Sequence, residues 1–348
     1  MATAGSLSPL ARTAYRWSQN LRLGWFGAQY ALTRRLTDSV PLPDHLKAAM
    51  PSTRQLTADR AKLIERDLQN IDAGYYRLPH DLIDSPVAAF RQSLAYFADL
   101  PNVNRRRRGE EGPEVATDAA ERFPDYYRRA FHHQTDGYLS EKSARLYDYQ
   151  VEILFGGAAD AMRRQALVPI HDFLSERRVA DCRLIDIACG TGRFLTFVKD
   201  NYPRLAVTAL DVSPYYVAEA RRNLKPWSRV DYVEAAVESA ALPPASYDIA
   251  TCIYLFHELP VALHAEAARA IARMLKPGGL LVFLDSLQSG DQPEYDALLE
   301  SFPLAFYEPY YADYLRQDLS GLFSAAGLVV EKIDLAYLSR VMVLRKPM

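Results

Sequence analysis

Leu184-Ile-Asp-Ile-Ala-Cys-Gly-Thr-Gly-Arg193 is the stretch that decides the fold. Leu184 to Ile187 is an apolar run with a single acid, Asp186, and reads as a buried parallel strand. It enters Ala188-Cys189-Gly190-Thr191-Gly192, small residues at a tight turn, and Arg193-Phe-Leu-Thr-Phe-Val-Lys199 then reads as a helix. Small residues belong where a ligand must approach the backbone, because a side chain would block it. The N–H groups at the helix start are free to bind polar ligand groups. The next strand, Ala206-Val-Thr-Ala-Leu210, ends in Asp211, nineteen residues after Gly192. An acid there can accept hydrogen bonds from both hydroxyls of a ribose.

A dinucleotide fingerprint needs a third small residue for close helix–strand packing, but here Gly190-Thr-Gly192 is followed by Leu195, which disfavours NAD and an oxidoreductase. The spelling Asp186-x-Ala188-x-Gly190-x-Gly192 instead resembles the first motif of class I (Rossmann-like) S-adenosylmethionine (SAM) methyltransferases, of the type 11-like kind. That family usually has Gly where this chain has Ala188. The resemblance covers roughly residues 179–348, about half the chain. The bland alternative is a tight strand–helix turn without a ligand.

The 348 residues can hold one large domain or two. With 49% apolar and 24% charged residues the chain is ordinary for a globular protein, and a net charge of −2 gives no general pull toward nucleic acid. Cys182, Cys189 and Cys252 all fall on or beside core strands, with neither metal spacing nor a disulfide framework, which suits a reducing compartment. No apolar run reaches the ~18 residues of a membrane span, and no continuous apolar leader is present, so a cytoplasmic location without membrane insertion is expected.

Residues 1–120 read as a helical accessory region. The first 50 residues look helical, with Arg12, Arg16 and Arg22 among Trp17, Trp25, Phe26 and Tyr30. Such a segment either lies on a membrane surface or packs on its own domain. Ser52-x-x-Gln55 is a capping box ahead of Leu56, Leu63, Ile64, Leu68 and Ile71 at helical spacing. Another helix is expected over Pro86 to Leu100, followed by an exposed loop at Asn102–Pro113 with four arginines. Residues 121–178 read as a helical cap or linker rich in His, Gln, Thr, Asp and Tyr, ending in a helix at 157–178.

From 182 on, strands and helices alternate, the mark of an α/β doubly wound sheet. Strands are expected at 184–187, 206–210, 229–233, 247–254, 280–284, 328–333 and 337–344. Helices fall between them, one capped by Ser213-Pro214 and another stopped by Lys276-Pro-Gly-Gly279. The resemblance implies a seven-stranded sheet with the last strand inserted antiparallel, and Lys276-Pro-Gly-Gly-Leu-Leu-Val282 is a common family turn.

The resemblance also implies the site. Asp186, Ala188, Gly190, Gly192, Asp211 and Val212 line the cofactor's sugar and methionine side. Tyr138, Arg145 and Tyr147 precede the first strand, in a segment that often folds over the cofactor, and reach the methionine carboxylate or the acceptor. After the third strand the family usually has an Asp for the adenine amino group. This chain has Ala235 and Ala236 there, so either Glu238 substitutes or the backbone at Val237 holds the adenine alone. Tyr254-Leu-Phe-His-Glu-Leu-Pro260 follows the fourth strand and sets Tyr254, His257 and Glu258 beside the sulfonium, with His257 as base and Glu258 orienting it. The insertion at about 286–317 reads as a substrate lid, in which Phe306, Tyr307, Tyr310, Tyr311 and Tyr314 give an apolar wall with polar tips and Glu308 a countercharge. His133, Tyr147, Tyr307, Glu308 and Tyr311 are the acceptor-side candidates. The alternative is packing of that insertion on the N-terminal helices.

Methyl transfer to an oxygen, nitrogen or sulfur of a small aromatic or amphipathic molecule is the expected activity. The cofactor is SAM, its product S-adenosylhomocysteine (SAH), and no metal is required. Nucleic acid is not an expected partner, and a homodimer is compatible with the chain. A non-catalytic SAM-binding scaffold or sensor is the competing class.

Overall fold

The structure, a computed structural model, describes residues 7–82, 85–110, 114–115 and 120–348. Four helices open the chain: α1 (Pro9–Leu36), α2 (Asp44–Ala49), α3 (Thr53–Asp72) and α4 (Pro86–Arg107). Each long one starts as its sequence dictates. Ser8, Ser52 and Ser85 accept hydrogen bonds from the backbone N–H groups of Ala11, Gln55 and Ala88, and proline follows directly in α1 and α4. Helices α5 (Glu141–Leu154), α6 (Ala159–Arg164) and α7 (Leu167–Ser175) lead into the sheet.

Strands β1 (Arg183–Ile187), β2 (Ala206–Asp211), β3 (Val230–Glu234), β4 (Tyr247–Ile253), β5 (Leu275–Ser286), β6 (Val329–Ala336) and β7 (Ser339–Arg345) form one seven-stranded sheet in the order β3-β2-β1-β4-β5-β7-β6. The first five are parallel, and β7 inserts antiparallel between β5 and β6. Helices α8 (Arg193–Asn201), α9 (Pro214–Asn223), α10 (Val261–Met274), α11 (Asp296–Phe306), α12 (Tyr311–Tyr314) and α13 (Leu319–Ala325) fill the connections. This is the α/β doubly wound, seven-stranded class I methyltransferase sheet with a helical N-terminal region. The strand order reverses between β1 and β4, and there the carboxyl ends of the strands leave a crevice.

The N-terminal helices share the core of the sheet. Tyr15, Leu63 and Leu68 pack in the same buried cluster as Leu184, Leu195 and Leu280. Charge pairs weld the two parts as well. Asp67 on α3 is fully buried and accepts from Arg164 Nη2 at 2.6 Å, from the Tyr76 hydroxyl at 2.7 Å and from Tyr15. Asp160 at the start of α6 receives Arg22 from α1 at 2.9 Å, Arg163 at 2.9 Å and Arg193 from α8 at 2.5 Å.

Two elements differ from the sequence expectation. Helix α4 runs seven residues past Leu100, through Pro101, and takes in three of the four arginines expected in a loop. Tertiary bonds hold that last turn: Arg107 donates to the carbonyls of Asp38 at 3.0 Å and Ala305 at 2.9 Å, and Asn104 to that of Leu36 at 2.8 Å. Residues 111–113 of the expected loop lie outside the described residues. The helix expected at 157–178 is broken in two at Gln165 and Ala166.

Candidate active site

Beyond Ile187 the chain turns through Ala188 at φ 54°, Gly190 at φ 55° and Gly192 at φ 73°, all left-handed. Ala188 therefore carries strain that glycine would not. A Cβ on Gly190 would point into open space and meet only Tyr216, at 3.9 Å, whereas one on Gly192 would press on Leu224 at 3.0 Å and Ala220 at 3.2 Å. Gly190 thus leaves room for a ligand. Gly192 does not face the cavity; its smallness serves the packing of α8 on α9.

The turn borders a cavity of about 970 Å³. Asp186, Ala188, Gly190, Asp211, Val212, Val237, Glu238, Tyr138, Tyr147, Tyr254 and Glu258 all line it. Asp211 accepts from the N–H of Gly190 at 2.8 Å and of Ser213 at 2.9 Å, one on each oxygen, which leaves a lone pair on each for a ribose hydroxyl. Burial raises its pKa to about 6 against those backbone bonds. Burial likewise raises Asp186, which accepts from Thr251 at 2.6 Å, to about 7. Ala235 and Ala236 line the cavity with small side chains, and beside them Glu238 accepts from the Tyr126 hydroxyl at 2.6 Å while its second oxygen is buried without a partner. That orphan acceptor suits an adenine amino group.

At the other end of the cavity, Arg145 is not where the resemblance implies. It is exposed and pairs with Glu141 at 2.9 Å, one helical turn back on the outer side of α5. Arg163 lines the cavity in its place, buried and held by Asp160. Asp148, bonded to Thr191 at 2.7 Å, has a second buried oxygen that makes no hydrogen bond and lies 3.9 Å from Arg163. An arginine and an orphan carboxylate oxygen suit the carboxylate and ammonium of a methionine group. Tyr138, Tyr147 and Tyr216 stand edge to face at 5.5–5.8 Å along the wall, an aromatic surface suited to a sulfonium.

The turn after β4 holds Tyr254, His257 and Glu258. Tyr254 lines the cavity, but its hydroxyl bonds to Ser339 at 2.7 Å. His257 is not a free neutral base. Its Nδ1 sits 2.5 Å from Asp285; burial opposes its charge, but Asp285 overcomes that and raises the imidazole to about 9. His257 Nε2 stands 3.8 Å from Glu258, too far for a hydrogen bond, so Glu258 does not orient it. Glu258 itself reaches the cavity, accepts from the Tyr138 hydroxyl at 2.7 Å, and is raised by burial to about 7.

A family model described as a methyltransferase domain matches residues 184–279. A ubiquinone biosynthesis O-methyltransferase of Xanthomonas euvesicatoria is 31% identical over 180 residues, 49% of this chain and 72% of the relative. The chain belongs to the class I SAM-dependent methyltransferases. The enzyme of the same description from Xanthomonas oryzae is 37% identical over 128 residues, a match covering 35% of this methyltransferase and 51% of that relative. The solved structure of a SAM-dependent methyltransferase from Aquifex aeolicus aligns with a TM-score of 0.40 at 18% identity, over 53% of this chain and 92% of the other.

A second cavity, of about 1520 Å³, lies between α1, α4 and α11. Tyr96, Leu100, Leu298, Phe302 and Phe306 are among its walls. The insertion packs on α2, the alternative to a lid, and of Phe306, Tyr307, Tyr310, Tyr311 and Tyr314 it is Phe306 that lines this cavity. Of the acceptor-side candidates, Tyr147 faces the first cavity. Tyr311 bonds to Ser286 at 2.5 Å and boxes His257 edge-on at 5.9 Å. His133 and Tyr307 face one another at 5.8 Å and line neither cavity, and burial lowers His133 to about 4.

The neighbour of His133 was missed. His132 lines the second cavity, and its Nε2 lies 3.0 Å from the buried Glu308. Burial drives both toward their neutral forms, His132 to about 3 and Glu308 well upward. Donor atoms of His132, Glu258 and Glu308 all lie within 4.8 Å of one another. The only advance signal was the His-Gln-Thr-Asp-Tyr density of 131–140. Backbone strain concentrates here too. Among the described non-glycine residues with left-handed φ, His132, Ala188 and Tyr254 line the two cavities, and His133 and Tyr307 adjoin His132 and Glu308 in sequence.

Proposed function

We propose that this methyltransferase methylates an oxygen of a small, largely apolar acceptor, aromatic or amphipathic, that occupies the cavity between α1, α4 and α11. One observation carries this: a single polar cluster separates the two cavities, with Glu258 on the cofactor side, His132 on the other, and Glu308 against both. An apolar acceptor in the second cavity would present its one polar atom to that cluster. The relatives described as O-methyltransferases favour oxygen over nitrogen or sulfur.

SAM supplies an electrophilic methyl group on a positively charged sulfur. The chain's residues do the rest by placement. Asp211 holds the ribose, Glu238 the adenine edge, and Arg163 with Asp148 the methionine end. Tyr138, Tyr147 and Tyr216 exclude water from the sulfonium and offer it their ring faces. The polar cluster fixes the acceptor's heteroatom and takes up its proton, and His257, cationic beside Asp285, limits the negative charge collected there.

The test is turnover with SAM and acceptors graded in type and chain length: phenols and catechols, then matched amines and thiols. SAH should appear with the oxygen acceptors, and KM should fall as an alkyl chain is added. SAM binding with no SAH from any acceptor would leave a sensor or scaffold instead. Turnover of amines or thiols alone would overturn the oxygen assignment.

A further inference from the structure

We propose that His132, Glu258 and Glu308 bind a divalent transition-metal ion between the two cavities. The three come from separate parts of the chain: the turn at Phe131–His133, the turn after β4, and the loop between α11 and α12. Each offers one donor atom, and the atoms lie within 4.8 Å of one another. Ligands on one ion, with bonds of ~2.1 Å, stand roughly 3–4.2 Å apart, so the set needs to draw in by less than about 1 Å.

Glu308 supplies an independent sign. It is 1% exposed; its Oε1 lies 3.0 Å from His132 Nε2 without hydrogen-bond geometry, and its Oε2 makes no hydrogen bond. A buried acid with unused acceptors is expensive unless something cationic or protic occupies them. Among the described residues, no lysine or arginine pairs with Glu308 or Glu258; their charged neighbours include His132, His257, Asp285 and Asp211. Asp285 is already committed to His257 and to the N–H groups of Phe256 and Ser286. Glu258, which accepts from the Tyr138 hydroxyl, and Glu308 are therefore two acids whose cationic neighbour, His257, is already paired with Asp285. His132 is aimed at them through a left-handed backbone at φ 56°, a strained conformation that turns its Nε2 toward Glu308 rather than away.

One imidazole nitrogen with two carboxylate oxygens is a borderline donor set, suited to manganese, iron, cobalt or zinc more than to magnesium or calcium. The site's existence stands on these residues alone. Its use, orienting the acceptor's oxygen opposite the methyl donor, rests on the function proposed above.

The experiment uses the full chain freed of metal with a chelator and then titrated with Mn²⁺, Co²⁺, Zn²⁺ and Mg²⁺ by calorimetry. The bound ion is counted by elemental analysis, and the Co²⁺ absorption spectrum is recorded. About one transition-metal ion per chain is expected, bound roughly 100-fold more tightly than Mg²⁺, with a Co²⁺ spectrum of mixed nitrogen and oxygen ligation. Glu308→Gln, and His132→Asn, which tolerates the left-handed backbone, should each weaken the ion at least about 100-fold while SAH binding stays within about threefold. Asp211→Ala should do the opposite, losing SAH and keeping the ion, so failure of the metal site and failure of the methyltransferase site are told apart. A metal-free wild type that takes up no transition-metal ion overturns the proposal whatever the variants do. So does a Glu308→Gln protein that binds the ion as wild type does.

Discussion

Replacing Asp211 by alanine tests the cofactor site most directly. Each Asp211 oxygen already accepts one backbone N–H, from Gly190 at 2.8 Å and Ser213 at 2.9 Å, and, with two lone pairs apiece, each can accept another bond from the cavity that Asp211 lines. Two ribose hydroxyls on those lone pairs form charge-assisted bonds, and losing them should cost about 2–3 kcal/mol, or roughly 30- to 160-fold in Kd for SAH. The variant also frees the two backbone N–H groups, so Asp211→Asn, which keeps one acceptor oxygen, should fall between wild type and alanine. A pH arm follows from the same carboxyl. Its pKa is raised to about 6 by burial, and the form that receives the ribose is the ionised one. SAH should bind fully above pH 6 and lose affinity as pH falls through it, reaching roughly tenfold weaker at about pH 5. Calorimetry of the three proteins at two pH values reads both effects. Alanine binding SAH within about threefold of wild type would refute the assignment of Asp211 to the ribose, whatever the pH dependence.

Four further outcomes are expected. Asp67→Ala strands the buried Arg164 guanidinium and two tyrosine hydroxyls, so chemical denaturation should report a loss of about 3–5 kcal/mol; a loss under 1 kcal/mol would mean the N-terminal helices are not held by that pair. Ala188→Gly relieves a left-handed alanine at the cost of a more flexible unfolded chain, and should leave stability unchanged or raise it by up to about 1 kcal/mol; a clear loss would show that the Ala188 methyl packs usefully. Arg145→Ala should leave SAM affinity within about twofold, whereas Arg163→Ala should weaken it at least tenfold; the reverse order would restore Arg145 to the site. Glu258→Gln should lower kcat about 10²- to 10⁴-fold with little change in the KM for SAM, and an unchanged kcat would remove Glu258 from the chemistry.

Much of this protein was legible in one dimension because its signals are local. The apolar run at 184–187 and the small residues through Gly192 specify a strand and a tight turn from neighbours a few positions apart, and Asp211 follows at the end of the next strand. Serine caps at Ser8, Ser52 and Ser85 act within three residues of themselves. Even the doubt over the adenine contact was visible as Ala235 and Ala236, and the orphan oxygen of Glu238 now favours one of its two answers.

What sequence alone determined, then, was the sheet, the cofactor turn and the acids along it, since backbone geometry and burial period write those into consecutive residues. Only the tertiary structure decided how distant side chains share charge. Arg145 and Arg163 are alike as letters, and each pairs with an acid one helical turn back, yet one faces water and the other is buried and lines the cavity. His257 reads as a neutral base until Asp285, at the end of a different strand, raises its pKa to about 9. His132 and Glu308 carry no shared pattern, and nothing in their local surroundings requires them to meet. They do so because α11 folds back over the turn at Phe131–His133, and a proton or ion held between buried groups is set by that meeting and not by either residue.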